Sequence, residues 1–300
     1  MDSREQITVV GDDLLVLAPA KINLSLLIAG KRPDGFHEIE TVMAKIDWYD
    51  EVLLQPAGRT GIEFICDGPQ WAPPGKDNLV YQAAKSLLQS CGLTNSIRVR
   101  LTKNIPAGTG FGLASSDAAA ALIGINHYLK LGLGKKDLSK LAAKLGSDVA
   151  FFLNGPLAFC TGKGEKIKKL NKIFNFMALL ILPDVSVSTK KVYANYKHDR
   201  GLYKKLNIQI KDHLTKNRID LLTKMCTNML AKSCFELEEN LAELKKTIES
   251  FGFGPCCLSG SGSAMFCIIE SGDEDETIEP IRVLAERFRC KSIIARNSRW

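Results

Sequence analysis

The sequence predicts an α+β protein of two domains, and three observations carry that prediction. Strand-like segments crowd the chain before Asp67, and helical periodicity takes over after Asn78. A strand, a glycine-rich loop and an alanine-rich segment follow one another between Ile97 and Leu122. The basic, weakly apolar stretch KGEKIKKLNKI, Lys163 to Ile173, then separates this half from a second set of strands and helices. A junction is expected there, with domains over residues 1–165 and 166–300. A length of 300 residues suits two domains.

Ile7 to Val10, Leu14 to Leu17, Ile22 to Leu27, Glu51 to Gln55 and Ile62 to Cys66 are apolar or β-branched runs of strand length. The Pro/Gly cluster GPQWAPPGKDN, Gly68 to Asn78, is a loop. Asn78 is a good helix cap, and Leu79, Val80, Ala83, Ala84, Leu87 and Leu88 repeat with helical spacing up to Ser90. IRVRL, Ile97 to Leu101, alternates as a strand should and runs into the glycine loop. Lys135 to Leu145 reads as a helix closed by Gly146. In the second half come a strand at Met177–Leu182, a broken helical stretch from Leu202 to Leu230 and a helix at Glu236–Ser250. The glycine turn SGSGSA, Ser259 to Ala264, precedes a strand at Met265–Ile269, a helix at Ile278–Phe288 and a strand at Cys290–Ala295. Strands arranged in this way suit an antiparallel sheet. The acidic patch GDEDET, Gly272 to Thr277, reads as a solvated loop leading into a helix.

Composition excludes several classes. Hydrophobic content of 45% and charged content of 24% are those of an ordinary globular protein. No apolar run approaches the roughly 18 residues of a membrane span, so no membrane association is expected. The start MDSREQITVV has no signal-peptide character, and a cytoplasmic location is expected. The nine cysteines form no C-x-x-C, the four histidines lie far apart, and apolar neighbours suggest reduced, partly buried thiols with no metal site. The net charge of +7 suits a small anionic substrate, and no aromatic-interleaved basic run points to nucleic acid.

The segment KNIPAGTGFGLASSDAA, Lys103 to Ala119, carries the first chemical signal. Gly108, Gly110 and Gly112 let the backbone turn its amides toward an anion. Ser115, Ser116 and Asp117 are cap-forming types, so a helix is expected from Ala118. A glycine loop feeding a helix N-terminus is a phosphate site. The spacing matches neither the common NTPase loop nor the dinucleotide fingerprint. Lys21, in APAKINLSL, lies on an apolar strand, where an ammonium is costly unless paired. Asp148, in LGSDVAFF, directly precedes an apolar run; it either caps that run or serves as a carboxylate that takes a hydroxyl proton, with Lys21 as its partner. RPDGFHEI, Arg32 to Ile39, presents Phe36 and His37 from a turn, a pairing suited to a planar ring. The glycine turns at Gly108 and Gly260 could close on one ligand.

With PAKINL, RPDGFHEI, KNIPAGTGFGLASSDAA, LGSDVAFFLNG, AFCTGKGE and LSGSGSAMF in this order, the chain resembles the GHMP kinase superfamily over nearly its whole length. It is most similar to the branch acting on 4-diphosphocytidyl-2-C-methyl-D-erythritol in the non-mevalonate isoprenoid pathway. The resemblance implies a ribosomal protein S5 domain 2-like N-terminal domain and a ferredoxin-like C-terminal domain. It implies transfer of the ATP γ-phosphoryl group to a substrate hydroxyl, with Mg²⁺ bridging the phosphates. By resemblance Asp148 is the general base and Lys21 its partner. Asn23, Phe36, His37, Tyr193, Gly260 and Ser261 take substrate places, with Phe36, His37 and Tyr193 around the cytosine. Asn78, Lys103, Pro106, Ala107, Gly108, Thr109, Gly110, Phe111, Gly112, Leu113, Ala114, Ser115 and Ser116 take ATP places. Monomer and homodimer both stay open. Where the family loop usually runs G-L-G-G-G-S-S, Leu113 and Ala114 replace two glycines here, and a left-handed backbone at either would cost on the order of 1 kcal/mol. Ala150 replaces a usual proline after Asp148. Two rival readings are another small-molecule kinase of the superfamily and a kinase-fold binding protein without turnover. RPDGFHEI speaks against the first, and retention of Lys21 and Asp148 against the second.

Overall fold

The computed structural model describes residues 5–94, 96–171, 175–269 and 275–300. β1 (Ile7–Val10) turns at Gly11 into β2 (Asp13–Lys31), which pairs antiparallel with β3 (His37–Pro56) along most of its length. The sequence splits β2 in two because Pro19 has no N–H to give a ladder. In the structure a register shift between Pro19 and Ala20 absorbs that defect, and the strand continues. β3 extends well beyond the expected Glu51–Gln55.

After β4 (Ile62–Asp67), α1 (Leu79–Ser90) begins where Asn78 Oδ1 accepts from Val80 N at 2.9 Å. β5 (Ile97–Thr102) lies antiparallel to β3 and parallel to β4. α2 (Leu113–Tyr128) follows the glycine loop and is buried along most of its length. Gly124 lets it approach the sheet: a Cβ there would lie 2.8 Å from Val16 and 2.9 Å from Leu54. α3 (Lys135–Leu145) and the single turn α4 (Val149–Phe152) lead to β6 (Leu157–Gly162), which pairs with β3. β7 (Lys166–Lys169) completes a hairpin with β6, running across the place where composition changes. Residues 172 and 173 of that stretch lie outside the described residues.

The second half comprises β8 (Met177–Leu182), α5 (Thr189–Asn195), α6 (Arg200–Thr215), α7 (Ile219–Met225), β9 (Thr227–Asn228), α8 (Ala231–Leu237), α9 (Glu239–Ser250), β10 (Cys257–Leu258), β11 (Met265–Ile269), α10 (Ile278–Phe288) and β12 (Lys291–Arg296). Its sheet runs β10-β11-β8-β12, antiparallel at every described pairing. β9 leaves that sheet and pairs parallel with β2, Ser25 opposite Thr227. Of the acidic patch, 272–274 lie outside the described residues, and Asp275–Thr277 makes one tight turn into α10.

One core fills the space between the first sheet and α1, α2 and α3. The other joins the second sheet and its helices to Ile22, Leu24, Val42 and Ala44 on β2 and β3. The β2–β3 ribbon therefore serves both. The expectation that all the cysteines are reduced fails at one pair. Cys226 and Cys257 form a disulfide, because β9 and β10 bring their Cα atoms to 5.2 Å. Cys160, Cys234, Cys256, Cys267 and Cys290 are buried free thiols. Among the described residues no helix is long and apolar enough to cross a membrane.

Candidate active site

The glycine loop adopts the left-handed backbone at Gly108, Gly110 and Gly112, with φ of 75°, 80° and 72°. Each turn this makes is closed to a residue with Cβ by strain. At Gly112 space is short as well, because a Cβ would lie 3.0 Å from Lys21 Cε and 3.2 Å from Phe152. Gly112 is also the residue before α2, and no side chain caps that helix. The sequence expected capping by Ser115, Ser116 or Asp117 and a start at Ala118. Instead Leu113 and Ala114 already form the first turn. Their backbone is helical, so neither residue carries left-handed strain; the three glycines before them take it all. The first amides of α2 have no acceptor within the helix and lie at a cavity of about 380 Å³.

That cavity is bounded by Ala107 through Ser115 on one side and by Pro73, Asn78, Leu79, Lys103 and Asp117 on the other. Pro106 and Ser116 do not line it: the Pro106 carbonyl accepts from Thr109 Oγ1 at 3.2 Å, and Ser116 Oγ donates to the Pro19 carbonyl at 2.6 Å. The Phe111 ring is fully buried, edge-on to Trp48. Lys103 is buried too. Its ammonium donates to Asp50 and, at 2.8 Å, to Asp117 Oδ2. Burial alone would favour the neutral amine, but Asp117 and Asp50 hold the Lys103 pKa above its ordinary value. Burial raises the Asp117 pKa against the pull of Lys103. Asp50 Oδ1 accepts from Asn104 N at 2.6 Å and Ile105 N at 3.0 Å, so it fixes the entry to the loop. Sequence reasoning passed over Asp50 and gave Asp117 only a capping part.

Lys21 packs beside Gly112 of the loop and meets Asp148 there. Lys21 is 4% exposed; its Nζ donates to Asn23 Oδ1 at 2.6 Å and stands 3.9 Å from Asp148 Oδ2. Burial lowers the Lys21 pKa, and Asp148 and Cys160 partly restore it. Asn23 is held by its donation to Thr41 Oγ1 at 2.8 Å, so its oxygen faces the lysine. The Asp148 side chain caps nothing in α4 and is 30% exposed, which leaves it free to meet a ligand. Lys45, opposite Lys21 in the β2–β3 ladder, was not anticipated. Fully buried, it donates to the carbonyls of Phe152 at 3.0 Å and Asn154 at 2.7 Å, just after Asp148. Burial, with a smaller effect from Lys135, pushes its ammonium down to about 7.

The two glycine turns are in contact. Ser259 Oγ donates to the Gly110 carbonyl at 3.1 Å, and a Cβ on Gly110 would lie 2.2 Å from the Ser259 carbonyl oxygen. Gly260, with φ of 58°, has Lys21 Nζ 3.5 Å from where a Cβ would stand. Ser261 shares a hydrogen bond of 2.7 Å with Thr189. Asn228, on β9, donates to the carbonyls of Leu258 at 2.8 Å and Gly260 at 2.7 Å and so sets the height of this turn. Nothing in the sequence around Asn228 marks it. Beyond Asp148 lies an aromatic group. His37 and Tyr193 have ring centres 5.2 Å apart, and Tyr196 meets His37 edge-on at 5.8 Å. Burial, with smaller effects from Lys31 and His198, lowers the His37 pKa below its ordinary value. Phe36 is 56% exposed.

Residues 78–156 match the GHMP kinases N terminal domain and residues 210–282 the GHMP kinases C terminal domain. A 4-diphosphocytidyl-2-C-methyl-D-erythritol kinase from a Geobacillus species is 37% identical over 257 residues, 86% of this chain and 88% of that protein. The chain belongs to the GHMP kinases, in the 4-diphosphocytidyl-2-C-methyl-D-erythritol kinase family. A relative of the same name from Bacillus cytotoxicus is 35% identical over 85% of this chain and 88% of its own length. A crystal structure of 4-(cytidine 5'-diphospho)-2C-methyl-D-erythritol kinase superposes with a TM-score of 0.74 at 29% identity, covering 95% of this chain and 99% of that one. The two-domain GHMP kinase fold is thus the fold of this chain.

Proposed function

We propose that this kinase transfers the γ-phosphoryl group of ATP to a hydroxyl of the methylerythritol part of 4-diphosphocytidyl-2-C-methyl-D-erythritol. The observation that carries the reading is the closure of the two glycine turns over Lys21 and Asp148. On one side lies a phosphate-sized cavity at a helix N-terminus. On the other lies an aromatic group suited to a pyrimidine. A hydroxyl presented between them gives its proton to Asp148 and attacks the γ-phosphorus, and the bond from that phosphorus to the ADP oxygen breaks. Lys21, 3.9 Å from Asp148, offsets charge growing on the phosphoryl oxygens. Phosphoryl transfer asks mainly for such positioning and electrostatics.

GHMP kinases use ATP, and Mg²⁺ fits what these residues offer. No group of three or more His, Cys, Asp or Glu among the described residues is placed to hold a metal by itself. Mg²⁺ takes one or two protein oxygens together with phosphates and waters, and the Ser115 hydroxyl at the cavity and the Asp148 carboxylate are candidates for that part. When bound, it would neutralise phosphate charge. Phe36, His37 and Tyr193 would take the cytosine. A cytoplasmic location suits a chain in which no described helix can cross a membrane.

The test is ADP release by the full chain with Mg²⁺-ATP. ADP is expected when 4-diphosphocytidyl-2-C-methyl-D-erythritol is added and not with mevalonate, homoserine or galactose. Release with one of those three instead would overturn the reading.

A further inference from the structure

Asp148 stands at the head of α4, a single turn of four residues. So short a helix has no stability of its own. None of its residues is a proline, so no ring fixes their φ. The last carbonyls of a helix have no partner within it. Lys45 is that partner here: its Nζ donates to the carbonyls of Phe152 at 3.0 Å and Asn154 at 2.7 Å, and its backbone N donates to the Pro156 carbonyl at 2.8 Å. The Asn154 side chain donates in turn to the Ala150 carbonyl at 2.7 Å. Lys45 pairs with Lys21 in the β2–β3 ladder, and Lys21 Nζ stands 3.9 Å from Asp148 Oδ2. Two neighbouring lysines hold one short segment, Lys21 at its carboxylate and Lys45 at its far end.

We infer that Lys45 is a positioning residue for Asp148, acting through α4. The inference rests on the role proposed for Asp148. A proton acceptor must stay within hydrogen-bond reach of the attacking hydroxyl, and a displacement of about 1 Å can cost on the order of a hundredfold in rate. The backbone makes the link: Phe151 N donates to the Asp148 carbonyl at 3.1 Å, and Asn154 N to the Phe151 carbonyl at 2.9 Å. Phe152 also packs against the glycine loop, its ring 3.2 Å from where a Cβ on Gly112 would stand. A shift of α4 would therefore move Asp148 relative to both Lys21 and the loop. Burying an amine is a costly way to satisfy two carbonyls. Among the described residues no carboxylate pairs with Lys45, so these carbonyls are what its nitrogen holds. Near pH 7 it stands between ammonium and amine, and either form has hydrogens for both.

The experiment is steady-state ADP release by the full chain with Mg²⁺-ATP and 4-diphosphocytidyl-2-C-methyl-D-erythritol, on the wild type, Lys45→Met, Asp148→Asn and the double variant. Lys45→Met keeps the bulk and loses the donors. Its kcat should fall about tenfold while KM for ATP changes by no more than about twofold. In the Asp148→Asn background the same substitution should cost no more than about twofold, because displacing a base that is already absent changes nothing. Lys45→Gln, with amide hydrogens on a stem one atom shorter, should lose about threefold and show the same dependence on Asp148; it replaces Lys45→Met in the cycle if that variant is insoluble. An unchanged kcat in the Lys45 variant used, or an equal fall with and without the Asp148 carboxylate, overturns the positioning role. A wild type that releases no ADP with this substrate overturns the proposed function, and this inference with it.

Discussion

Replacing Leu113 by glycine puts back the residue the family loop usually carries and should damage the protein. Leu113 is 5% exposed, belongs to the core that joins the two halves, and has a helical backbone as the first residue of α2. Truncating a buried leucine to alanine costs about 2–5 kcal/mol. Glycine in place of alanine at a helical position adds about 0.5–1 kcal/mol. The sum is about 2.5–6 kcal/mol, which at roughly 2–4 °C per kcal/mol for a domain of this size lowers the melting temperature by on the order of 10 °C. No backbone strain is relieved in return, because the left-handed positions are Gly108, Gly110 and Gly112. Ala114→Gly is the matched control: Ala114 is exposed, so only the helical term of about 0.5–1 kcal/mol applies. Thermal unfolding followed by circular dichroism, alongside ADP release at saturating substrates, reads both effects. A Leu113→Gly protein that melts at or above the wild type, or turns over faster, would refute the placement of Leu113 in the helix.

Asp148→Asn should lower kcat by about 10²–10⁴-fold, the usual worth of a general base, with little change in melting temperature, since the side chain caps nothing; wild-type turnover in this variant would remove Asp148 from its role. Gly110→Ala forces apart the contact with Ser259 and adds left-handed strain, and it should cost at least about 2 kcal/mol and most of the activity; a soluble variant with normal kcat would show that the two turns need not touch. For Lys45 the sign follows from burial. The folded chain gives up its proton near pH 7 and the unfolded chain holds it to about 10.5. The unfolded state therefore binds more protons between those values, and stability gains up to roughly 1.4 kcal/mol per pH unit on going upward. Lys45→Met should flatten this rise in denaturant titrations at pH 7, 8 and 9; an unchanged slope would mean that Lys45 stays charged.

Local patterns were legible where local physics decides. The limits of β1, α1, α3, β8, β11 and α10 match what periodicity and the Asn78 cap imply, because each buries one face set by its own sequence. The continuity of β2 was hidden by Pro19, since only the partner strand shows that a register shift accommodates it. The pairing of Lys21 with Asp148 could be guessed from the cost of burying an ammonium on an apolar strand. Asp50, Lys45 and Asn228 could not. Each acts on backbone or side chains distant in sequence, as when Asn228 holds Gly260, and isolated polar residues in strands carry no local signal of such work. The start of α2 was misread for a related reason. Serine and aspartate are strong caps, but glycine ends the loop first and their side chains are turned to Pro19 and Lys103.

The two-residue strand β9 carries a consequence for how the protein comes into being. It ties Ser25 and Leu26 to Thr227 and Asn228, and Ile28 N meets Met229 Sδ across 201 positions of sequence. Contacts between segments so far apart close large loops and form late. Most helices and hairpins need only nearby chain, yet the height of the Gly260 turn over Lys21 depends on Asn228. During refolding from denaturant the far-ultraviolet signal should therefore return ahead of turnover. Neither half made alone should present a finished catalytic surface, because the last piece of one half's sheet is supplied by the other's chain.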